Sequence, residues 1–189
     1  MRDIDVRRVM ARKVLREHES EPDTLVIHEL GLMGGITRVD VAVINGRIHG
    51  YEIKSERDKL DRLLEQANTY NKIFDNVTLV CGERHLDAGL RQVPFWWGVK
   101  CATTGARGAV HLHQVRRPKR NNDLDPRAIA ALLWRNEALD VLSRWGADQG
   151  VRSKSKAALF DRLAATLPLK ELRGEVRRAL KIRENWRDR

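Results

Sequence analysis

The sequence has few of the features that mark secreted, membrane-spanning or disulfide-stabilised proteins. It contains two cysteines in 189 residues, and aromatic residues make up 5% of it. Cys81 and Cys101 form no Cys-x-x-Cys pair, so we expect buried thiols rather than a disulfide. The charged segment from Met1 to Asp5 lacks the apolar core of a secretory signal, and no apolar run reaches the length of a membrane span. These absences favour a cytoplasmic protein with no membrane partner.

Several kinds of catalytic motif are also absent. No Ser–His–Asp or Cys–His arrangement predicts a nucleophilic enzyme, and the glycines at 31, 34 and 35 lack phosphate-loop spacing. His111 and His113 share one face of a predicted strand, but no third metal ligand lies near them in the sequence. We therefore expect no small-molecule cofactor.

Positive charge is abundant and unevenly distributed. The chain has 36 lysines and arginines against 26 acidic residues, a net charge of +10. Residues 1–115 carry +1 of this charge and residues 116–189 carry +9. A basic excess favours an anionic partner such as nucleic acid or an anionic membrane, and the partner would bind the C-terminal part.

Apolar periodicity changes at the same point of the chain. Short β-rich runs recur between residues 24 and 115, and they are predicted at 24–30, 39–44, 48–54, 77–81, 95–101 and 109–115. Helical patterns cover residues 4–15 and 58–74, and then 128–145, 156–167 and 169–183. The order predicts an α/β domain over residues 1–115, a basic linker over 116–126 and a small, basic, all-helical domain over 127–189.

Three charged residues interrupt the apolar strands of a predicted hairpin. Asp40 lies in its first strand, whereas Glu52 and Lys54 share one face of the second strand. Both faces of these strands are largely hydrophobic, so we expect a sheet that is covered on both sides. Charges in such a place are costly unless they pair or hold a metal.

The hairpin register decides whether these charges meet. A two-residue Asn45-Gly46 loop would pair Ile44 with Arg47 and place Asp40 on the opposite face from Glu52. A three-residue loop, or a bulge, pairs Ile44 with Ile48 and sets Asp40 across from Glu52, roughly 5 Å apart at Cβ. Since this register pairs two apolar residues, we predict it despite the Asn-Gly turn signal.

Two carboxylates and an ammonium on one face suit a particular chemistry. Hard oxygen ligands favour Mg²⁺ or Mn²⁺, which bind phosphate oxygens and keep some of their waters. The metal lowers the pKa of a bound water, and a nearby lysine stabilises charge in the transition state. The arrangement predicts metal-assisted hydrolysis of a phosphodiester.

Asp40 followed by Glu52-Ile53-Lys54 resembles the PD-(D/E)XK nuclease superfamily, over about residues 1–115. The resemblance implies a mixed central sheet flanked by helices, as in restriction endonucleases, and divalent-metal cleavage of DNA. Asp40 and Glu52 would be metal ligands and catalytic residues, Lys54 the catalytic lysine and Glu29 a third acidic ligand. Glu17 and Glu19 compete with Glu29 for that place, and an edge hairpin with solvated charges is the simpler alternative.

A second element extends the resemblance. The segment from Gln66 to Tyr70 matches the Gln-x-x-x-Tyr element of the nuclease branch similar to RecB, in which Gln66 would support the catalytic site. Tyr70 and Arg38 would contact nucleic acid, with core packing as the alternative role of Tyr70. One departure is Val39, which replaces the motif's proline. The whole layout resembles a small bacterial family of this superfamily with an unsettled role.

The C-terminal part carries a further basic pattern. The spacing from Lys156 to Leu163, after a turn that begins at Gly150, is similar to SAP-type DNA-binding modules. The turn is one residue short and lacks the glycine expected before the lysine. A turn running into a helix start favours phosphate binding, and a solvated basic face is the alternative. The residues expected to bind nucleic acid here are Arg152, Lys154, Lys156 and Arg162.

The sequence thus predicts a DNA nuclease that depends on Mg²⁺ (or Mn²⁺), with the basic helices holding the DNA. Two other classes stay open: a catalytically silent binding protein that keeps the nuclease fold, and an assembly protein of phage or mobile-element origin. A homodimer also stays open, as do cleavage polarity and the choice between DNA and RNA.

Overall fold

Six strands form a single sheet in which the strand order follows the chain. A computed structural model describes residues 1–184; residues 185–189 and the side chains of Glu17 and Glu19 lie outside the described part. The strands are β1 (Leu25–Leu32), β2 (Thr37–Ile44), β3 (Ile48–Lys54), β4 (Asn76–Gly82), β5 (Gly98–Thr104) and β6 (Val110–Arg116), and their order in the sheet is β1-β2-β3-β4-β5-β6.

The sheet is mixed. Its β1–β2, β2–β3 and β5–β6 pairs are antiparallel, whereas the β3–β4 and β4–β5 pairs are parallel. Parallel neighbours need a crossover connection, and helices α3 (Leu63–Tyr70) and α4 (Leu86–Gln92) supply the two crossovers. The predicted α/β class, with a mixed sheet flanked by helices and followed by further helices, is confirmed.

The β2–β3 hairpin has the predicted register. Ile44 pairs with Ile48, and the three residues between them form the loop, in which the Asn45 N–H donates to the carbonyl of Arg47 at 3.0 Å. The apolar pair therefore outweighs the two-residue turn that Asn45-Gly46 alone would favour.

Helices cover both faces of the sheet, as the apolar character of its central strands predicts. On one face, Val6 and Met10 pack with Val41, Tyr51 and other buried residues. The covering helical segment begins with α1 (Asp3–Met10), continues through a π-helical turn (Ala11–Leu15) and ends with α2 (Arg16–Ser20). The opposite face carries α3, α4 and the C-terminal helices.

Up to residue 184, four helices follow the sheet: α5 (Pro126–Ala130), α6 (Arg135–Arg144), α7 (Lys156–Thr166) and α8 (Leu169–Ile182). Their buried residues belong to the same hydrophobic cluster as those of the sheet. An ion pair reinforces this packing, because Arg173 of α8 contacts Asp75, which also accepts a hydrogen bond from the Ile48 N–H at 2.8 Å. The division into two domains stays a prediction.

The basic segment that joins the sheet to these helices lies against the sheet domain. The side chain of Asn121 is buried and donates to the carbonyls of Asn71 and Phe74 at 2.7 and 3.1 Å. Its backbone N–H donates to the carbonyl of Asp75 at 2.8 Å. Within residues 1–184, no helix is long and apolar enough to cross a membrane.

Two helix predictions need correction, and one helix was missed. The pattern over 58–74 forms a helix only from Leu63 to Tyr70, because Asp58 bonds the Ser55 N–H in a turn before the helix begins. The pattern over 128–145 forms two helices, and the second begins where the Glu137 carboxylate accepts from the Trp134 N–H. Helix α4 was not predicted, since Gly89 weakens its helical signal.

Candidate active site

One cleft collects the predicted site residues of the α/β part. It has a volume of about 800 Å³ and lies where the ends of β2 and β3 meet α1, the β1–β2 loop and α3. Its lining includes Glu29, Arg38, Asp40, Glu52, Lys54 and Gln66. Residues from four separate segments of the chain therefore line one cleft.

Glu52 is the centre of a hydrogen-bond network at the bottom of the cleft. Its Oε1 accepts from the Lys54 ammonium at 2.7 Å and from the Gln66 amide at 2.7 Å, and its Oε2 accepts from the Tyr70 hydroxyl at 2.6 Å. The Gln66 carbonyl oxygen accepts from Lys54 at 3.0 Å. Because the Glu52 side chain is 2% exposed, these donors compensate a charge that water does not reach.

Asp40 lies beside this network, in the middle of β2. The ladder pairs Val41 with Tyr51, and the next step of the register places Asp40 opposite Glu52. One carboxylate oxygen accepts from the Ile53 N–H at 2.6 Å and the other from Arg7 at 2.5 Å. Asp40 thus contacts the backbone between Glu52 and Lys54, and its second oxygen faces α1.

Glu29 reaches the cleft through an unusual backbone conformation. His28 pairs with Val41 and Leu30 with Val39, so Glu29 lies opposite Asp40 across the β1–β2 ladder. Its φ is +58°, in the left-handed region. A residue with a β-carbon loses roughly 1–2 kcal/mol there, and strain of this kind concentrates at functional sites. The role of Glu29 as a third acidic group stays a prediction.

Burial and mutual repulsion shift the protonation of the site. Burial, with the nearby Glu52 charge as the next cause, raises the pKa of Asp40 to about 6, although its bonds to Ile53 and Arg7 act in the opposite direction. Burial and the Glu52 charge likewise raise the pKa of the Tyr70 hydroxyl, which keeps it a hydrogen-bond donor. The acids of the cleft are therefore held close together at an electrostatic cost.

The donor atoms of the cleft are those that Mg²⁺ takes. Asp40 and Glu29 present carboxylate oxygens. Each oxygen of Asp40 accepts one hydrogen bond, from Arg7 or from the Ile53 N–H. Because a carboxylate oxygen has two lone pairs, each of them has one left for a cation. Glu52 is more fully engaged by its three donors. In the described part of the chain, no three His, Cys, Asp or Glu residues form a ready-made metal site. The residues fit a hard cation in kind, and Asp40 and Glu29 are the better placed.

The other residues predicted to contact nucleic acid near the cleft differ in position. The Arg38 side chain is 62% exposed, and its guanidinium lies 3.9 Å from Glu29. Tyr70 is fully buried, and besides Glu52 its hydroxyl bonds the Arg38 carbonyl at 2.8 Å. The prediction that Tyr70 contacts nucleic acid is therefore wrong for this structure, and the tyrosine holds Glu52 in place.

The residues of the C-terminal part that were predicted to bind nucleic acid are exposed, and all but the last lie around the start of α7: Arg152, Lys154, Lys156 and, within the helix, Arg162. Arg135 holds the preceding turn by donating to the carbonyls of residues 152 and 154 at 2.6 and 2.5 Å. Ser155 caps the helix by accepting from the Ala158 N–H at 3.4 Å. Arg152 is itself paired with Asp148, so Lys154 and Lys156 carry the least compensated charge of the turn.

A second cleft connects this region with the first. Its volume is about 640 Å³, and it is lined by the outer strand β1, the α5–α6 turn and α7. Lys156 and Phe160 lie on its wall, and it shares Glu29, Gly35 and Arg38 with the first cleft. The two predicted nucleic-acid-binding regions are therefore neighbours in space.

Arg7 and Asp3 line the first cleft and were not singled out from the sequence. Arg7 contacts Asp40 and Glu29, and its Nε donates to Asp3 at 2.6 Å. The spacing of four between Asp3 and Arg7 is a helical ion-pair signal. That signal identifies the pair, but it does not reveal which sheet residue the arginine reaches.

Comparisons with known proteins identify a family that matches most of this chain. The family model for Bacteriophage P4 protein cII matches residues 7–188. The chain is similar to protein cII of Enterobacteria phage P4, with 26% identity over 124 residues, which is 66% of this chain and 47% of that protein. The chain thus spans about half the length of that relative. A solved structure of a protein of unknown function from Silicibacter pomeroyi is 18% identical, covers 82% of this chain and 98% of its own, and has a TM-score of 0.45.

Proposed function

This chain belongs to the Bacteriophage P4 protein cII family, and we propose that it is a divalent-metal-dependent nuclease that hydrolyses phosphodiester bonds of DNA. The observation that carries the proposal is the meeting of Asp40, Glu52 and Lys54 in one cleft, with Gln66 bonded to both members of the Glu52–Lys54 pair.

The cost of this arrangement supports a catalytic role. Asp40 and Glu52 repel each other in a partly dry site, and Glu29 occupies a strained backbone conformation. Apolar residues at positions 40 and 52 would avoid the repulsion, and glycine at position 29 would avoid the strain. Perturbed protonation together with local strain is typical of sites that bind or transform a ligand.

The chain's own residues have distinct tasks in this proposal. Asp40 and Glu29 would hold the cation, with Glu52 beside them, and the cation would acidify a water and neutralise charge on the phosphodiester. Lys54 offers its ammonium to the developing negative charge on the phosphate. Gln66 and Tyr70 fix Glu52, and through it Lys54, in one orientation.

The DNA would approach along the positively charged rim. Arg38 lies at the wall that the two clefts share, and Lys156 lies on the far wall of the second cleft. Lys154 adds a further exposed charge before α7. Contacts from these residues to phosphates would position the strand without reading its sequence.

A specific observation favours a second candidate function. The guanidinium of Arg7 bridges Asp40 and Glu29, and this satisfies the two carboxylates without any metal. A catalytically silent protein that binds nucleic acid or a protein partner, and keeps the nuclease fold, would have this arrangement.

A cleavage assay separates the two functions. Purified protein is incubated with plasmid, linear and single-stranded DNA in Mg²⁺ or Mn²⁺, beside Asp40→Asn and Glu52→Gln. The matched controls are Asp61→Asn and Glu65→Gln, which alter exposed acids of the same cleft. The nuclease predicts cleavage that is lost in the first pair and kept in the controls. Intact DNA with every protein, or equal cleavage by all, rules out the proposed activity.

A further inference from the structure

Arg7 occupies the space between the two carboxylates that are best placed for a cation. Its Nη2 lies 2.5 Å from an oxygen of Asp40 and 3.0 Å from an oxygen of Glu29. One nitrogen atom thus contacts two carboxylates that come from different strands of the sheet. A divalent cation would bind the same pair of oxygens.

Contacts within α1, and the packing of α1 on the sheet, hold Arg7 in position. Its Nε donates to Asp3, one turn earlier in α1, at 2.6 Å. The neighbouring residues Val6 and Met10 are fully buried against the sheet, so the helix cannot rotate to withdraw the side chain. Arg7 can leave the carboxylates only by turning about its own bonds, toward Asp3 and the open side of the cleft.

The charges around Arg7 show what it compensates. Asp3, Glu29 and Asp40 contact it directly, and Glu52 lies beyond Asp40 with its own cation, Lys54. A bound divalent ion would bring two positive charges to carboxylates that already hold one. Repulsion between the ion and the guanidinium, together with the shared oxygens, makes simultaneous occupation unfavourable.

We propose that Arg7 is the resident counter-ion of this site and competes with the divalent cation for Asp40 and Glu29. The inference rests on the proposed function, because it concerns occupancy of the same site. Arg7 keeps the acids paired in the absence of metal, and cation binding requires that the guanidinium turn away. The chain thereby limits how tightly the cation binds.

Cation binding without DNA tests the competition directly. Mn²⁺ affinity is measured by electron paramagnetic resonance or calorimetry for the wild type, Arg7→Gln and Arg8→Gln, the last of which alters the adjacent, exposed arginine of α1. We expect Arg7→Gln to bind Mn²⁺ about tenfold more tightly than the wild type, since the lost hydrogen bonds join charged groups. Arg8→Gln should match the wild type.

Thermal unfolding and a second variant distinguish a change in Mn²⁺ affinity from a folding defect of Arg7→Gln. In chelator, Arg7→Gln should have a lower melting temperature than the wild type. Mn²⁺ should raise its melting temperature by more, because at one ligand concentration the tighter ligand stabilises the folded state more. If Arg7→Gln does not fold, Arg7→Lys replaces it. The lysine ammonium keeps the charge but lacks the planar group that contacts both carboxylates. Arg7→Lys should therefore compete less well and also bind Mn²⁺ more tightly than the wild type.

The outcomes separate this inference from the proposed nuclease. Equal or weaker Mn²⁺ binding by the Arg7 variant overturns the competition, as does absence of binding by every protein. Tighter Mn²⁺ binding by Arg7→Gln alongside intact DNA in the cleavage assay supports the competition and removes the nuclease.

Discussion

The hydroxyl of Tyr70 donates a hydrogen bond of 2.6 Å to Oε2 of Glu52, and both side chains are buried. Water cannot readily replace a donor in such a place, so Tyr70→Phe leaves a carboxylate oxygen poorly compensated. We expect the free energy of unfolding to fall by about 1–3 kcal/mol, measured by urea denaturation, and the rate of DNA cleavage to fall with it.

Tyr51 offers a matched control, because it is the chain's other tyrosine and packs on the opposite face of the sheet. Tyr51→Phe should retain the wild-type cleavage rate. If the two phenylalanine variants cleave equally well, the Tyr70 hydroxyl has no part in positioning Glu52.

Glu29 should show a conflict between stability and cation binding. Its φ of +58° suits glycine better than any residue with a β-carbon. Glu29→Gly and Glu29→Ala both remove the carboxylate, but only glycine relieves the backbone. We expect the glycine variant to be the more stable of the two by about 1 kcal/mol, and both to bind Mn²⁺ more weakly than the wild type. Equal unfolding free energies would show that the conformation costs nothing.

The raised pKa of Asp40 predicts a pH-dependent contribution to stability. The pKa is about 6 in the folded protein and 3.8 for an unperturbed aspartate. Between these values the folded state holds a proton that the unfolded state releases, so this residue's contribution to the free energy of unfolding falls as pH rises through the window.

Asp40→Asn removes that titration. We therefore expect the free energy of unfolding of the variant, relative to that of the wild type, to increase as pH rises from 4 to 7. Urea denaturation in the presence of chelator measures it. Asp61→Asn, at an exposed position of the same cleft, is the control for loss of a carboxylate. A difference between Asp40→Asn and the wild type that stays constant with pH would contradict the raised pKa.

The basic turn before α7 should determine how DNA affinity depends on salt. Lys154→Ala together with Lys156→Ala removes two exposed charges. Each lost contact with duplex phosphate should reduce the slope of log affinity against log salt by about 0.9. Lys170→Ala, an exposed lysine of α8, serves as the control in a fluorescence-anisotropy titration. An unchanged slope in the double variant would show that the turn does not contact phosphate.

To measure the contribution of the C-terminal part to DNA binding, single-residue substitutions are more informative than removal of its helices. Ile129, Leu159, Leu163 and Leu172 are buried in the same cluster as the sheet. A chain that ends before them would expose that cluster, and lost binding would then report unfolding rather than a missing contact.

The hairpin register and the acidic site could be predicted because local pattern determines them. Pairing Ile44 with Ile48 sets the register of the hairpin, and that register places Asp40 opposite Glu52, on the same face of the sheet. Gln66 was predicted only from its match to the Gln-x-x-x-Tyr element, and helical spacing adds that it lies one turn before Tyr70. The hairpin register alone follows from a period that the sequence displays.

Other features depend on contacts that no local period encodes. Arg7 and Arg8 are equivalent in the sequence, and only the packing of Val6 and Met10 against the sheet turns Arg7 toward Asp40. Helix α4 contains Gly89, where a β-carbon would lie 2.8 Å from the Leu79 side chain. There the glycine serves close packing of helix on strand, although glycine in a helical pattern argues against a helix.

The ion pair between Arg173 and Asp75 joins residues 98 positions apart in the sequence. Asp75 also holds the first residue of β3 through the Ile48 N–H, so helix α8 and the β2–β3 hairpin share one carboxylate. A recombination event that exchanged the C-terminal half for that of a relative would have to supply an arginine at this place, or leave a buried acid without its cation. Inheritance of the two halves as a unit is the expected consequence, and it makes residues 75 and 173 a pair that should change together among relatives.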